Sequence, residues 1–193
     1  MFGITPAHLH LLINHLPVEG SIFSTLLLLY GMARKNAELI RTAFIGLILV
    51  GIFAFAADTT GDGAARIVRK IPGTDRHDIS THAESADWAK MVGGVTAIVA
   101  LAGLIFAWRR KDEVQVVTSA NPESTNEYYV RRHKAPHTGF VIACLILALL
   151  DVAVIARTAY LGGKIRHPEI EVGFTVPLDT TSGVQPVPQK DSD

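Results

Sequence analysis

The chain has 193 residues, of which 49% are hydrophobic, and its mean hydropathy is +0.30. Its 18 Lys and Arg residues balance its 18 Asp and Glu residues, so the protein has no net field that would attract nucleic acid. A single cysteine, Cys144, excludes an internal disulfide, a cysteine-only metal site and the CxxCH attachment of a c-type haem.

The apolar residues lie in blocks of about twenty, the length with which a helix crosses roughly 30 Å of hydrocarbon. Backbone groups in lipid must be hydrogen-bonded within each segment, and runs of this length favour helices over barrel strands. Hydropathy places the spans at residues 7–32, 39–57, 86–108 and 138–161. The sequence therefore predicts an all-α fold, a four-helix transmembrane bundle at residues 1–167, followed by an extended or disordered tail at residues 168–193.

Basic residues cluster at the ends of the first and third connections, and such clusters mark the cytoplasmic side of a membrane. Both termini are therefore expected on the outer, periplasmic side. The N-terminus lacks the basic region and cleavage site of a signal peptide, so the first span is expected to remain in the mature protein. The clustered basic residues are Arg34, Lys35, Arg41, Arg109, Arg110, Lys111, Arg131, Arg132 and Lys134.

The connection between the second and third spans contains several turn signals. Residues 58–63, with their glycines and side-chain acceptors, predict a tight turn, and Pro72-Gly73 predicts a second one. Thr81 and Glu84 have the spacing of a capping box, which predicts that the third helix starts there. This start would place His82 in the first turn of the helix, at the outer side.

Histidines are distributed unevenly in the predicted topology, and neutral imidazole is the commonest protein ligand for metals and haem iron. The paired glycines at residues 162–163 are expected to end the fourth helix near His167. On a helix, His10 and His15 are about 140° apart, so each needs a different partner, which His82 and His167 could supply. Two haems with bis-histidine ligation and one haem with a proton-relay histidine both remain open. The outer side holds His8, His10, His15, His77, His82 and His167, whereas His133 and His137 lie on the inner side.

Two carboxyl groups, those of Glu19 and Asp151, fall at similar depth inside the predicted hydrocarbon region. Glu19 follows His15 by four residues and so shares its helix face. A buried pair of this kind can share or relay a proton. The alternatives are that a protonated carboxyl hydrogen-bonds a neighbouring helix, or that Asp151 pairs with Arg157.

Four short segments resemble the bacterial four-span membrane family known as domain of unknown function 2231. The likeness covers about residues 9–173 and rests on LHLLINHLP at residues 9–17, Thr60-Gly61, His82, and Gly162-Gly163 followed by His167. Leu11 stands where the family has proline, and the family's Tyr-x-His-Gly ending is replaced at residues 166–168. The resemblance implies a multi-pass protein of the bacterial inner membrane. It also implies an association with redox proteins, because some members are joined to Rieske-type iron–sulfur domains.

The first functional hypothesis is an electron-transfer protein or subunit that resembles a b-type cytochrome, holds one or two haem b groups and works with other membrane redox proteins or cytochromes. The second is a cofactor-free assembly subunit of a larger respiratory or photosynthetic complex. A transition-metal binding protein ranks third. An accessory role is favoured over a self-contained enzyme. The candidate haem ligands are His10, His15, His82 and His167, and the candidate proton-relay residues are Glu19 and Asp151.

Overall fold

The computed structural model describes residues 3–110, 113–118, 127–132, 134–167 and 170. The predicted tail at residues 168–193 and His133 therefore lie outside the described residues, apart from Ile170. Within the described ranges, four helices are long and apolar enough to cross a membrane, so the chain is a multi-pass, helical membrane protein as predicted. They are α1 (Pro6–Ala33), α2 (Ala37–Val68), α3 (Arg76–Trp108) and α4 (Thr138–Lys164).

An antiparallel β-hairpin, which the hydropathy analysis did not predict, connects α3 to α4. It consists of β1 (Glu113–Thr118) and β2 (Glu127–Arg132), with Glu113 opposite Arg132 and Thr118 opposite Glu127. Alternating valines in β1 are typical of a strand, but the segment is only six residues long. The hairpin lies outside the membrane-spanning segments.

The helices form a ring in which α1 packs on α2, α2 on α3, α3 on α4 and α4 on α1. Consequently, α1 and α3 face each other across a diagonal of the bundle. The starts of α1 and α3 and the ends of α2 and α4 lie at one end, which we call the histidine end. The opposite end, next to β1 and β2, is the hairpin end.

Two apolar clusters fill the interior. The larger lies towards the hairpin end and joins all four helices through residues such as Leu28, Phe44, Leu104 and Cys144. At its edge the buried Arg41 donates hydrogen bonds from Nε and Nη2 to the carbonyl oxygen of Lys134, at 3.0 and 2.7 Å, and so ties the chain before α4 to α2. The smaller cluster lies towards the histidine end and consists of Val50, Ala89 and Ile155, with Val18 and Val154 packed against them.

The tight turn predicted at residues 58–63 is wrong, because α2 continues without interruption to Val68. The hydroxyls of Thr59 and Thr60 donate to carbonyl oxygens of their own helix instead of stabilising a turn. Gly63 lies against the start of α1, where a Cβ atom would come within 2.8 Å of Pro6 Cβ. Packing against α1 therefore overrides the local turn preference of this segment.

The predicted start of α3 at Thr81 is also wrong. Asp75 caps the helix by accepting from the backbone N–H of His77 at 2.8 Å, and Thr81 donates to the carbonyl oxygen of His77 inside the helix. The turn predicted at Pro72-Gly73 is present, with Gly73 at a φ of 79°. His82 therefore lies nearly two turns inside α3.

Close packing of α2 on α3 depends on two glycines. A Cβ atom at Gly51 would lie 2.7 Å from Ala97 Cβ and 2.9 Å from the carbonyl oxygen of Gly93, both closer than such atoms approach in proteins. A Cβ atom at Gly94, the next residue along α3, would meet nothing within 4 Å. Small residues at such positions let membrane helices approach closely.

We expect Gly51→Ala to force α2 and α3 apart and to lower the free energy of unfolding by about 1–3 kcal/mol. The matched variant Gly94→Ala should change it by less than about 1 kcal/mol, because the added methyl group enters open space. Thermal unfolding of both variants in the same detergent checks this. Equal stability of the two variants would contradict the close contact.

Candidate functional site: a histidine pair at one end of the bundle

His10 extends from α1 towards α2. Its Nδ1 lies 3.1 Å from the carbonyl oxygen of Ala57 and 3.1 Å from Thr60 Oγ1. A carbonyl oxygen only accepts, so Nδ1 carries the proton and donates it. The Thr60 hydroxyl itself donates to Ala57 O at 2.8 Å, and so all three groups meet at one carbonyl. These contacts orient the half-buried imidazole and favour the tautomer that carries the proton at Nδ1.

His82 extends from α3 towards α4 in the same manner. Its Nδ1 donates to the carbonyl oxygen of Thr158 at 3.0 Å. The Thr158 hydroxyl donates its proton to Val154 O at 2.9 Å. In the 2.8 Å hydrogen bond between Ser85 Oγ and Thr158 Oγ1, the donor is therefore Ser85, which is 1% exposed. Thr158 is therefore fixed on both its backbone and its side chain, and it fixes His82 in turn.

A glycine lies four residues after each accepting carbonyl. In an α-helix the side chain at this position leans over the carbonyl and would compete for the space that the imidazole occupies. A Cβ atom at Gly61 would lie 3.6 Å from His10 Cε1, and one at Gly162 would lie 3.0 Å from His82 Cε1. The glycines that predicted the end of α4 lie inside its last turn, and one of them makes room for His82.

The two imidazoles belong to diagonally opposite helices, α1 and α3, and both lie at the histidine end of the bundle. Among the described residues, neither Nε2 atom takes part in a hydrogen bond. His10 and His82 thus form a pair in which each ring is oriented through Nδ1 and keeps the Nε2 lone pair available. Metal-ligating histidines are held by their second nitrogen in this way.

The structure does not gather the other two predicted ligands into the same group. His15 is exposed on the outward face of α1, and His167 is exposed beyond the end of α4, where its N–H donates to Gly163 O at 2.9 Å. In the part of the chain that the structure describes, no group of three or more His, Cys, Asp or Glu residues is placed to hold a metal ion. The predicted set of four histidines therefore reduces to one pair.

Glu19 and Asp151 also lie apart. Glu19 is exposed on α1, whereas Asp151 is 0% exposed on the inner face of α4. Neither carboxyl oxygen of Asp151 has a hydrogen-bond partner among the described residues, which excludes a direct contact with Glu19 or with the exposed Arg157. Asp151 Oδ1 lies against Gly93, where a Cβ atom would come within 3.3 Å.

An ion-pair group braces α2 against α3 near the pair. Lys90 Nζ lies 2.8 Å from Asp58 Oδ2 and 3.0 Å from Asp87 Oδ1. Asp58 directly follows Ala57, so this contact helps to hold the carbonyl that His10 needs. All three side chains remain partly accessible to solvent. We therefore expect them to contribute to stability as an ion-pair network at the edge of the membrane does, and not as a buried ion pair does.

Sequence reasoning missed several supporting residues of the site. Ser85 and Thr158, which hold the carbonyl that His82 contacts, gave no motif. The sequence feature that could have identified the site is a glycine four residues after the accepting carbonyl, on the helix that faces each histidine. This signal requires knowledge of which helices are neighbours.

The geometry predicts that the neutral forms of His10 and His82 carry their proton at Nδ1. ¹⁵N NMR of histidine-labelled protein at neutral pH should show these two rings as the Nδ1–H tautomer, assigned by the loss of each signal in the His10→Ala and His82→Ala variants. Protonation of both rings at Nε2 would contradict the two carbonyl contacts.

Gly162→Ala should displace the His82 ring, because its new methyl group would lie 3.0 Å from Cε1. We expect the His82 signal to shift towards a mixture of tautomers. Gly163→Ala is the matched control, since its methyl group makes only an ordinary contact, 3.6 Å from Ile170 Cδ1. Identical His82 signals in both variants would show that Gly162 does not clear the ring.

Comparison with family models, with curated proteins and with solved structures finds no match to this chain. The resemblance to the family of domain of unknown function 2231 therefore stays a prediction from the sequence.

Proposed function

We propose that this protein is a membrane electron-transfer protein, or a subunit of one, that holds a b-type haem through His10 and His82. The observation that carries the proposal is the histidine pair itself. The two rings come from opposite helices, each is anchored through Nδ1 to a backbone carbonyl, and neither Nε2 has a hydrogen-bond partner among the described residues. Cofactor sites of helix bundles are built in this way, from side chains on facing helices.

The donor set fits haem better than a bare transition-metal ion. A haem needs only axial ligands from the protein, whereas zinc and copper sites use three or more side chains. The described residues offer two anchored imidazoles and no third donor in a metal-binding group. One pair of ligands supports one haem, and the glycines beside both rings leave the imidazoles free of side-chain crowding.

When bound, a haem supplies reversible one-electron chemistry. The contribution of this chain is to orient and tune the ligands. Hydrogen bonds from Nδ1 to Ala57 O and Thr158 O fix the tautomer and increase the basicity of Nε2. Partial burial of both rings limits the access of water, which is one of the factors that set a redox potential.

Asp151 is the remaining candidate for proton transfer. It is a buried carboxyl with no hydrogen-bond partner among the described residues, and ionisable groups placed in this way inside membranes mark proton relays. Glu19 points away from the interior, so it is not part of this proposal. A quinol that releases protons on oxidation is one class of donor that such a carboxyl would suit.

The proposed location is the inner membrane of a bacterium, with the histidine end on the periplasmic side. This orientation is supported by the basic residues that directly follow α1 and α3 at the hairpin end, namely Arg34, Lys35, Arg109 and Arg110. In this orientation the haem would exchange electrons with a partner at the periplasmic surface.

The proposal is tested on protein purified in detergent from haem-replete cells. A reduced-minus-oxidised visible spectrum and a pyridine haemochrome assay should show about one haem b per chain. A colourless protein would contradict the proposal and would leave the hypothesis of a cofactor-free assembly subunit.

His10→Ala and His82→Ala should each abolish most haem binding, because each removes one axial ligand. His15→Ala and His167→Ala are controls of the same residue type and should retain the wild-type haem content. Circular dichroism should show that all four variants keep their helices. Unchanged haem content in both His10→Ala and His82→Ala would refute the ligand assignment.

A further inference from the structure

The outward face of α1 carries two ionisable residues, His15 and Glu19, and both are exposed. They are four residues apart and so lie on the same face of the helix. Measured from the end of α1 at Ala33, Glu19 lies about 21 Å along the helix axis. This depth falls inside the roughly 30 Å of hydrocarbon.

A carboxyl group that faces lipid is costly, and ionisable residues in membrane helices face protein or water almost without exception. The contrast with α3 is clear. Every exposed residue of α3 from Trp88 to Trp108 is apolar, as expected of a surface in contact with lipid. The outward face of α1 is therefore unlike a lipid-facing surface at the positions of His15 and Glu19.

The two residues belong to a longer stripe with the spacing of a helix–helix seam. Its members recur at alternating intervals of three and four residues, the pattern of positions a and d in a left-handed coiled coil. Nothing in the described part of the chain covers the stripe, and its first member, Leu12, is 70% exposed. The stripe, which we call the α1 seam, consists of Leu12, His15, Glu19, Ile22, Leu26 and Leu29.

We propose that the α1 seam is the interface between two copies of this chain. Two copies inserted in the same orientation present their α1 helices in parallel around a two-fold axis, which makes the same patch face itself. His15 of each copy then lies one helical turn from Glu19 of the partner, so two reciprocal His–Glu contacts remove both carboxyl groups from lipid. A polar pair in an otherwise apolar seam also fixes the register and the number of strands.

A second copy is the occupant that the chemistry favours. The seam is complementary to itself, because it carries a carboxyl group that can accept and an imidazole that can donate a hydrogen bond at adjacent layers. It uses neither member of the histidine pair, so the proposal is independent of haem binding. A different membrane protein would have to supply its own donor at the depth of Glu19.

Cysteine cross-linking in native membranes tests the interface. Cys144 is fully buried, so the background is low, and single cysteines are introduced at Ile22 and Leu26 in the seam. A cysteine at Ile98 is the matched control, since this residue is 69% exposed on α3 and away from the seam. We expect disulfide-linked dimers from both seam positions, several-fold more than from Ile98→Cys.

Adding Glu19→Leu to the Ile22→Cys variant should reduce the dimer yield several-fold, while circular dichroism shows an unchanged helix content. Two results would overturn the proposal. One is a seam yield no higher than that of Ile98→Cys, which would indicate random collision. The other is cross-linking of the seam only to a different protein, which would identify a heterologous partner.

Discussion

The site depends on two backbone carbonyl groups, those of Ala57 and Thr158, which accept hydrogen bonds from imidazole N–H groups of neighbouring helices. A helix carbonyl already accepts from the residue four positions later, so the imidazole uses its second lone pair. At Gly162 the missing side chain leaves room for the ring, since a Cβ atom there would lie 3.0 Å from His82 Cε1, whereas a Cβ atom at Gly61 would make an ordinary 3.6 Å contact with His10 Cε1. The two contacts join α1 to α2 and α3 to α4, and they fix the orientation of both imidazole rings.

The rotation of each helix explains why residues of the same type, two histidines and two carboxylic acids, lie in different environments. His10 and His15 are five residues apart, and about 140° of helix rotation places one inside the bundle and the other outside. Glu19 follows His15 to the outward face, whereas Asp151 lies between the two apolar clusters on the inner face of α4. Two residues at the same depth in the membrane therefore need not lie close together, because the rotation of each helix decides which side chains meet.

Much of the architecture could be predicted from the sequence. Hydropathy located four spans because each exceeds the length that hydrocarbon demands, and α1 differs by only one residue at each end from its prediction. The turn signals at residues 58–63 failed because packing on Pro6 favoured a helix there. His10 and His82 were among the candidate ligands from the sequence, but which of the candidates share one end of the bundle depends on contacts between distant helices. Ser85 and Thr158 were missed for the same reason, since nothing local distinguishes a supporting hydroxyl from an ordinary one.

We propose that one haem iron is held by the imidazoles of His10 and His82, which come from opposite helices. Low-temperature electron paramagnetic resonance of the oxidised, purified protein tests this ligation, because the signal of ferric haem depends on its axial ligands. We expect a low-spin signal typical of two imidazole ligands. A high-spin signal, or a low-spin signal typical of one imidazole with a different second ligand, would contradict the pairing of His10 with His82.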